Sequence, residues 1–281
     1  MNELNTLISD LVVPESPRWH DDRLWFANWG VAQEIVAAEP DGNVEVIARG
    51  PKSAGFSLDW LPDGRLLVTG DDRLLWMEAD GSLVTHADLS GVASGINEIV
   101  VDGRGNIYLN SVEFAFGQED FRPGAIELVT PDGAARRVAE DIWFPNGMVV
   151  TPDNSTLVVA ESWASRLTAF DIEPDGGLTN RRVWANVGGD GITMDAEGAI
   201  WASAVVEDGP VVLRVREGGE VLDRFELPAA CFACMLGGPH GTTLFLAVAR
   251  WQGVERMGEL FGLHTGQMLT TEVAVARAGR P

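Results

Sequence analysis

The segment IVVDGRGNIYL, residues 99–109, reads as two apolar strands joined by a tight polar turn. Its last turn residue, Gly105, supplies the positive φ that a short hairpin requires. The same unit occurs five more times, as PRWHDDRLWFA (17–27), LDWLPDGRLLV (58–68), VVTPDNSTLVV (149–159), ITMDAEGAIWA (192–202) and LGGPHGTTLFL (236–246). The equivalent turn residues are Asp22, Gly64, Gly105, Asn154, Gly198 and Gly241, so the unit recurs after 42, 41, 49, 44 and 43 residues. Most hairpins are followed by further strand-like runs, such as residues 74–78, 125–129, 167–171 and 211–215. Each period therefore holds three or four strands, which is the blade length of a propeller. The expectation is an all-β, six-bladed β-propeller forming one domain over residues 1–281. The apolar-rich stretch at residues 4–13 is predicted to pair with the last blade and close the ring, covering an otherwise open sheet edge. A β-sandwich, the alternative, gives no reason for such regular spacing.

Composition agrees with a folded, soluble chain. Of the 281 residues 46% are hydrophobic, enough for a large core, and 22% are charged. No apolar run reaches the roughly 18 residues of a membrane helix. Residues 1–10 carry neither the basic nor the apolar region of a secretory signal, which points to a cytoplasmic protein. The net charge of −22 repels nucleic acid and anionic membranes and concentrates cations. The partner that remains is a small molecule; the sequence leaves the oligomeric state open. Lys52, the single lysine, lies in a loop-like stretch and offers no Schiff-base chemistry. Cys231 and Cys234 lack a second pair to complete a zinc site. On a regular strand they would face opposite ways, so they read as buried free thiols.

Reading the repeat vertically exposes an anomaly. Eight residues before each turn residue (seven in the first copy) stand Glu15, Phe56, Asn97, Asn146, Asp190 and Ala233. Four of these are carboxylates or amides, although their surroundings are apolar: VVPESPRW, GINEIVV, FPNGMVV and GDGITMD. The first strand of each propeller blade lines the central channel, so these residues converge at one mouth. Buried carboxylates need a partner, and no Lys or Arg occupies the column. An all-oxygen donor set with two carboxylates suits one hard divalent ion. Ca²⁺ is preferred because it tolerates irregular ligand sets; Mg²⁺, Mn²⁺ and Zn²⁺ are the alternatives. Asn-Gly and Asp-Gly are ordinarily turn pairs, and Asn146 and Asp190 each precede a glycine. Agreement of four positions in register favours the ion site.

The motifs PESPRW, INEIVVDGRGNIY, FPNGMVVTPDNSTLVVAES and GDGITMDAEGAIWAS, with GGPHGTTLFLAVA near the end, resemble the SMP-30/gluconolactonase family over nearly the whole chain. The resemblance implies a six-bladed propeller with one divalent metal held by Glu15, Asn146 and Asp190. It implies that Asn97 lies near metal-bound water and substrate, that Asp190 is a general base, and that the activity is hydrolysis of sugar lactones or related esters. Two departures stand out. Sugar-lactone members often carry an Arg where this chain has Gly95, and Gly189 replaces the usual Pro before Asp190.

A lactonase of this kind would use the ion to polarise the carbonyl and acidify water, Asp190 to take the proton, and Asn97 to orient water or the developing oxyanion. Phe56, Phe114, Phe121, Trp143, Phe144 and Trp163 are expected to line an aromatic pocket, with Arg122 as an anchor for an acidic group. The histidines fit poorly: His20 and His240 lie in turns at the far end, His264 lies in a polar turn, and only His86 has a route to the rim. Ser16 has no supporting triad motif. A different reaction on the same scaffold, such as phosphotriester hydrolysis or a non-hydrolytic condensation or cyclisation, is one alternative, and a non-catalytic binding module is another.

Overall fold

The computed structural model of the protein describes residues 3–53, 55–115 and 117–281. It contains six four-stranded antiparallel sheets. Their inner strands are Val13–His20, Leu58–Trp60, Ile96–Val101, Pro145–Val150, Ile192–Met194 and Ala230–Gly237. Each inner strand contacts the next, and the sixth returns to the first, so the sheets form a closed ring of blades. In five blades the four strands follow one another in sequence. In the sixth, Ala230–Gly237, Thr243–Ala249 and Gly266–Glu272 are joined at the outer edge by Asn5–Leu11 from the start of the chain. The register Asn5↔Thr270, Thr6↔Leu269 and Leu11↔Gly266 fixes that closure, as the apolar N-terminal run predicts. Among the described residues no helix is long and apolar enough to cross a membrane.

The six predicted turn residues all have positive φ: Asp22 58°, Gly64 88°, Gly105 85°, Asn154 57°, Gly198 75° and Gly241 72°. These turns define one end of the ring, and the column residues lie at the other. At Gly105 an added Cβ would meet nothing nearer than Pro131 at 3.5 Å, so a substitution there meets conformational strain and no clash. Gly105→Ala is expected to cost about 1–2 kcal/mol, the left-handed penalty of an L-residue, and to lower the melting temperature by roughly 2–8 °C. Thermal unfolding followed by circular dichroism checks this; an unchanged midpoint would show that the turn relaxes freely.

Many of the strands nearest the channel are apolar and buried along nearly their whole length, and their side chains fill the spaces between blades. Val149, Leu167, Ile192, Ile200 and Val211 form one such layer between the fourth and fifth blades. Cys231 and Cys234 are free and buried, as the sequence suggests. They do not face opposite ways, however. A register shift between Cys231 and Ala233 resets the alternation, and both thiols enter one core layer beside Trp201 and Leu246.

Candidate functional site

The inner strands of the first, third, fourth and sixth blades each carry a β-bulge near the end opposite the hairpin turns. The irregularities fall between Glu15 and Arg18, between Ile96 and Ile99, and between Pro145 and Met148, at the site residues themselves. A bulge sets extra residues against the partner strand and re-aims their side chains. Ser16, which follows Glu15, takes φ 49° to make this possible, and its hydroxyl accepts a hydrogen bond from the Leu58 N–H of the next blade (2.9 Å). That contact uses Ser16 as a stitch between blades.

The two ambiguous glycine pairs are not turns. Neither Gly147 nor Gly191 is among the glycines with positive φ. A Cβ on Gly147 would lie 2.6 Å from the Asp190 carbonyl oxygen, and one on Gly191 would lie 2.5 Å from the Ala233 Cβ. Both glycines permit close approach of neighbouring inner strands, which brings Asn146, Asp190 and the sixth blade together. The Gly147 N–H donates to the Asp190 carbonyl (3.0 Å), and the Gly191 N–H donates to the Phe232 carbonyl (2.8 Å).

Glu15, Asn146 and Asp190 meet here. Burial, then the nearby charges of Asp190 and Glu98, hold the Glu15 carboxyl well above the usual carboxylate range. Burial, then Glu98, pushes Asp190 up to about 8, although the Asn146 side chain hydrogen-bonds it and opposes that shift. Asp190 Oδ1 is buried and has no hydrogen-bond partner. The Asn97 Nδ2 donates to the Pro145 carbonyl (3.0 Å), and its backbone carbonyl accepts from Ser57 Oγ (2.5 Å). Both amide NH₂ groups thus have protein acceptors, which leaves both amide oxygens for another ligand.

Glu98 is a third carboxylate at this site that the column does not include. It is buried, and burial raises its pKa. Its Oε2 accepts from Arg18 Nη2 (3.3 Å), and Arg18 also approaches Asp59 (3.9 Å). So a cation does stand in the channel, three residues beyond Glu15, and it serves the layer of Glu98 and Asp59. Four carboxyl groups, Glu15, Asp59, Glu98 and Asp190, share Arg18, with Arg280 acting on Asp59 alone, and that imbalance calls for a further positive charge. Asn110, fully buried on the second strand of the third blade, supports the site from behind. Its Nδ2 donates to the Asn146 carbonyl (2.6 Å) and its Oδ1 accepts from the Glu98 N–H (3.2 Å).

A hard divalent ion fits this donor set: two carboxylates of raised pKa, an orphaned buried oxygen, and amide oxygens left over. Among the described residues no group of three or more Asp, Glu, His or Cys side chains has the arrangement of a metal site by itself, so amide oxygens have to complete the ligation. A cavity of about 790 Å³ opens at the turn-bearing end, lined by His20, Trp60 and Arg277 among others. It touches the channel through Arg18 and Asp59 but includes none of the four column residues.

The sequence fits the description SMP-30/Gluconolactonase/LRE-like region over residues 13–250. The chain belongs to the SMP-30/gluconolactonase/LRE-like family. Among curated relatives, this family member is 28% identical over 210 residues to the Loligo vulgaris protein named diisopropyl-fluorophosphatase, covering 66% of the chain and 64% of the relative. It is 24% identical over 252 residues to the 6-deoxy-6-sulfogluconolactonase of Pseudomonas putida, covering 85% and 84%. Among solved structures it is similar to a luciferin-regenerating enzyme, with a TM-score of 0.82 at 17% identity over 99% and 98% of the two chains. The calcium-binding regucalcin of Agrobacterium tumefaciens gives 0.79 at 21% identity over 100% and 97%. At these identities the structural likeness speaks to the fold.

The remaining sequence candidates divide. Phe114, Phe121, Trp143, Phe144 and Trp163 form one continuous cluster beside Asn146, with ring centroids 4.7–6.1 Å apart. Phe56 does not join them. It is fully buried, its ring packed against Gly50 and clustered with Ala27 and Ile35 between the first and second blades. Arg122 is exposed and bonded to Glu119 on its own loop (2.8 Å), so its guanidinium does not stand free for a substrate acid. His86 does not reach the rim: it lies on the outer strand Leu83–Asp88, its ring 5.1 Å from that of Trp76. His20 stacks on Trp60 at the far end, and His264 Nδ1 lies 3.0 Å from the Asp10 carbonyl oxygen.

Proposed function

We propose that the protein is a divalent-metal-dependent hydrolase of lactones or related esters, with Ca²⁺ as the ion its oxygen donors suit best. The observation that carries this is the buried, unpartnered Oδ1 of Asp190 in a carboxylate cluster with too few cations. Glu15, Asn146 and Asp190 would hold the ion. When bound, the ion supplies Lewis-acid polarisation of the ester carbonyl. Asp190 provides a basic oxygen in a water-poor setting, able to take a proton from attacking water and return it to the leaving alkoxide. Asn97, fixed through Nδ2 to the Pro145 carbonyl, offers Oδ1 and its second N–H to position water or substrate. Glu98 and Arg18 hold the floor of the site and set its potential.

The test is hydrolysis of a panel of lactones and carboxylate esters before and after chelation. A phosphotriester belongs in the panel, because one relative is named for a fluorophosphate. Chelation is expected to lower the rate at least about 100-fold, with Ca²⁺ restoring it, since carbonyl polarisation accounts for several kcal/mol. Full activity in protein shown by metal analysis to hold no ion would refute the reading, and a product lacking added water would exclude hydrolysis.

A further inference from the structure

The chain reaches Asn146 through a strained approach. Asp141 and Phe144, just before the inner strand Pro145–Val150, have φ 57° and 56°, left-handed values that residues with a Cβ rarely adopt. Such a conformation persists where its surroundings over-determine it. Here they do so around one carboxylate. Glu161, at the end of the second strand of the fourth blade (Thr156–Glu161), is fully buried. Its Oε2 accepts from the Trp143 N–H (2.8 Å) and from Arg166 Nη2 (3.0 Å). Its Oε1 accepts from Arg166 Nε (2.9 Å), Thr168 Oγ1 (2.5 Å) and Arg181 Nη2 (3.2 Å). Arg181 in turn donates to the carbonyls of Glu140 (3.0 Å) and Asp141 (2.8 Å). The N–H groups of Ser162 and Trp163, which follow Glu161, donate to the carbonyls of Phe144 (3.1 Å) and Trp143 (3.2 Å). The backbone at residues 140–144 is thus gripped by Glu161, its partner Arg181 and the residues beside it.

What this approach delivers is two site residues. Pro145 stands opposite Glu161 in the strand register, and the bulge follows between Pro145 and Met148. The Pro145 carbonyl accepts from Asn97 Nδ2 (3.0 Å), and the side chain of Asn146, the next residue, hydrogen-bonds Asp190. A displacement at Trp143 therefore reaches both amides. Glu161 has no direct part in the site: burial, Glu98 and Asn146 are what act on the Asp190 carboxyl. Its own charge is met by Arg166 (2.9 Å) and Arg181 (3.2 Å). What it supplies is geometry.

We infer that Glu161 is a positioning residue for the ion site: by holding the Trp143 N–H it sets where the fourth inner strand begins, and so aims Asn146 at the ion and the Pro145 carbonyl at Asn97. This rests on the reading of Glu15, Asn146 and Asp190 as ion ligands. Groups that orient a ligand without touching the metal typically change ion affinity about 10–100-fold.

The experiment is calorimetric titration of metal-free protein with Ca²⁺, beside Tb³⁺ luminescence decay in H₂O and D₂O, which counts the water on the bound ion. Glu161→Met keeps the length of the side chain and removes every acceptor. It is expected to weaken Ca²⁺ binding about 10–100-fold and to admit about one more water to the ion, as Asn146→Ala does. Arg166→Met is the control for stability alone. It takes a partner from the same carboxylate and leaves the Trp143 bond, so the melting temperature falls while Kd stays within about threefold of the parent. Glu161→Met combined with Arg166→Met strands one guanidinium fewer, and it takes the place of the single variant if circular dichroism shows that one unfolded. Unchanged Kd and water count in the folded Glu161 variant, with Asn146→Ala weakened, would overturn the inference and keep the ion reading. Equal weakening by Arg166→Met would overturn it too, because any loosening of the blade would then suffice. A parent protein that binds neither Ca²⁺ nor Tb³⁺ would sink the ion reading itself, and this inference with it.

Discussion

Asp190→Asn is expected to abolish hydrolysis, by about 10²–10⁴-fold, while leaving the metal-free protein folded and as stable as the parent. With its pKa held at about 8 by burial and by Glu98, the Asp190 carboxyl is largely protonated at pH 7 in the absence of an ion. Asn copies that neutral group in size, so the metal-free melting temperatures should agree within about 2 °C. Loading the ion distinguishes them. The parent is expected to gain about 2.7 kcal/mol at a Ca²⁺ concentration of 100 Kd, or roughly 5–10 °C for a chain of this size. The variant loses one anionic ligand and most of that gain. Calorimetric melts with and without Ca²⁺, beside rate measurements, read both effects. An Asp190→Asn protein that keeps the full calcium-dependent rise would remove Asp190 from the ion site.

Glu15→Gln probes the same cluster with a weaker lever, because Glu15 already accepts the Ser16 N–H (3.2 Å) and that bond survives the change.

What the sequence made legible follows from what turns record. Gly105, Asn154 and their equivalents must have positive φ, so they count blades reliably, and the position of Glu15, Asn97, Asn146 and Asp190 relative to them falls out by subtraction. What sequence periodicity could not carry was the bulge. Strict alternation sets Asn97 and Glu98 on opposite faces, and likewise Cys231 and Cys234. One displaced residue in each strand undoes both expectations. The available sign of Glu98 was a carboxylate inside the apolar run INEIVV; that of Arg18 was a guanidinium inside an inner strand. Phe56 shows the converse error. It holds its place in the column, but its ring packs with Ala27 and Ile35 between the first and second blades. Equal spacing from a turn fixes a level along the channel but not the direction of the side chain: Asp190, equally placed before an equally short strand, reaches the site and Phe56 does not.

Arg18 allows the sharpest test of how the channel is held together. Its side chain is almost fully enclosed, donating through Nη2 to the Ile99 carbonyl (2.8 Å) and to Glu98 (3.3 Å), and through Nη1 to the Pro17 carbonyl (3.0 Å). Arg18→Met keeps much of the packing volume and removes the guanidinium that Glu98 and Asp59 share. Breaking a buried pair this way costs about 3–5 kcal/mol, because the partner charge is stranded. The two acids should not suffer equally. Asp59 retains the N–H groups of Trp60 (2.8 Å) and Val101 (2.7 Å) and the charge of Arg280, whereas Glu98 retains the Ile99 N–H (3.1 Å) and the Ser57 side chain. Arg18 is the largest influence opposing the burial of Glu98, so its loss drives that pKa further upward. A carboxyl whose folded pKa exceeds its unfolded value contributes stability at low pH and loses it as pH rises through the folded value. The deficit of Arg18→Met is therefore expected to shrink as pH falls and Glu98 takes up a proton. Adding Glu98→Gln should recover at least about half of the loss at neutral pH and remove most of its pH dependence. Urea unfolding of the four members of the cycle at several pH values measures this. A deficit that is constant with pH, or one that Glu98→Gln deepens, would mean that Arg18 acts through packing and backbone contacts, and that the carboxylate layer beneath the ion site is held by something other than charge.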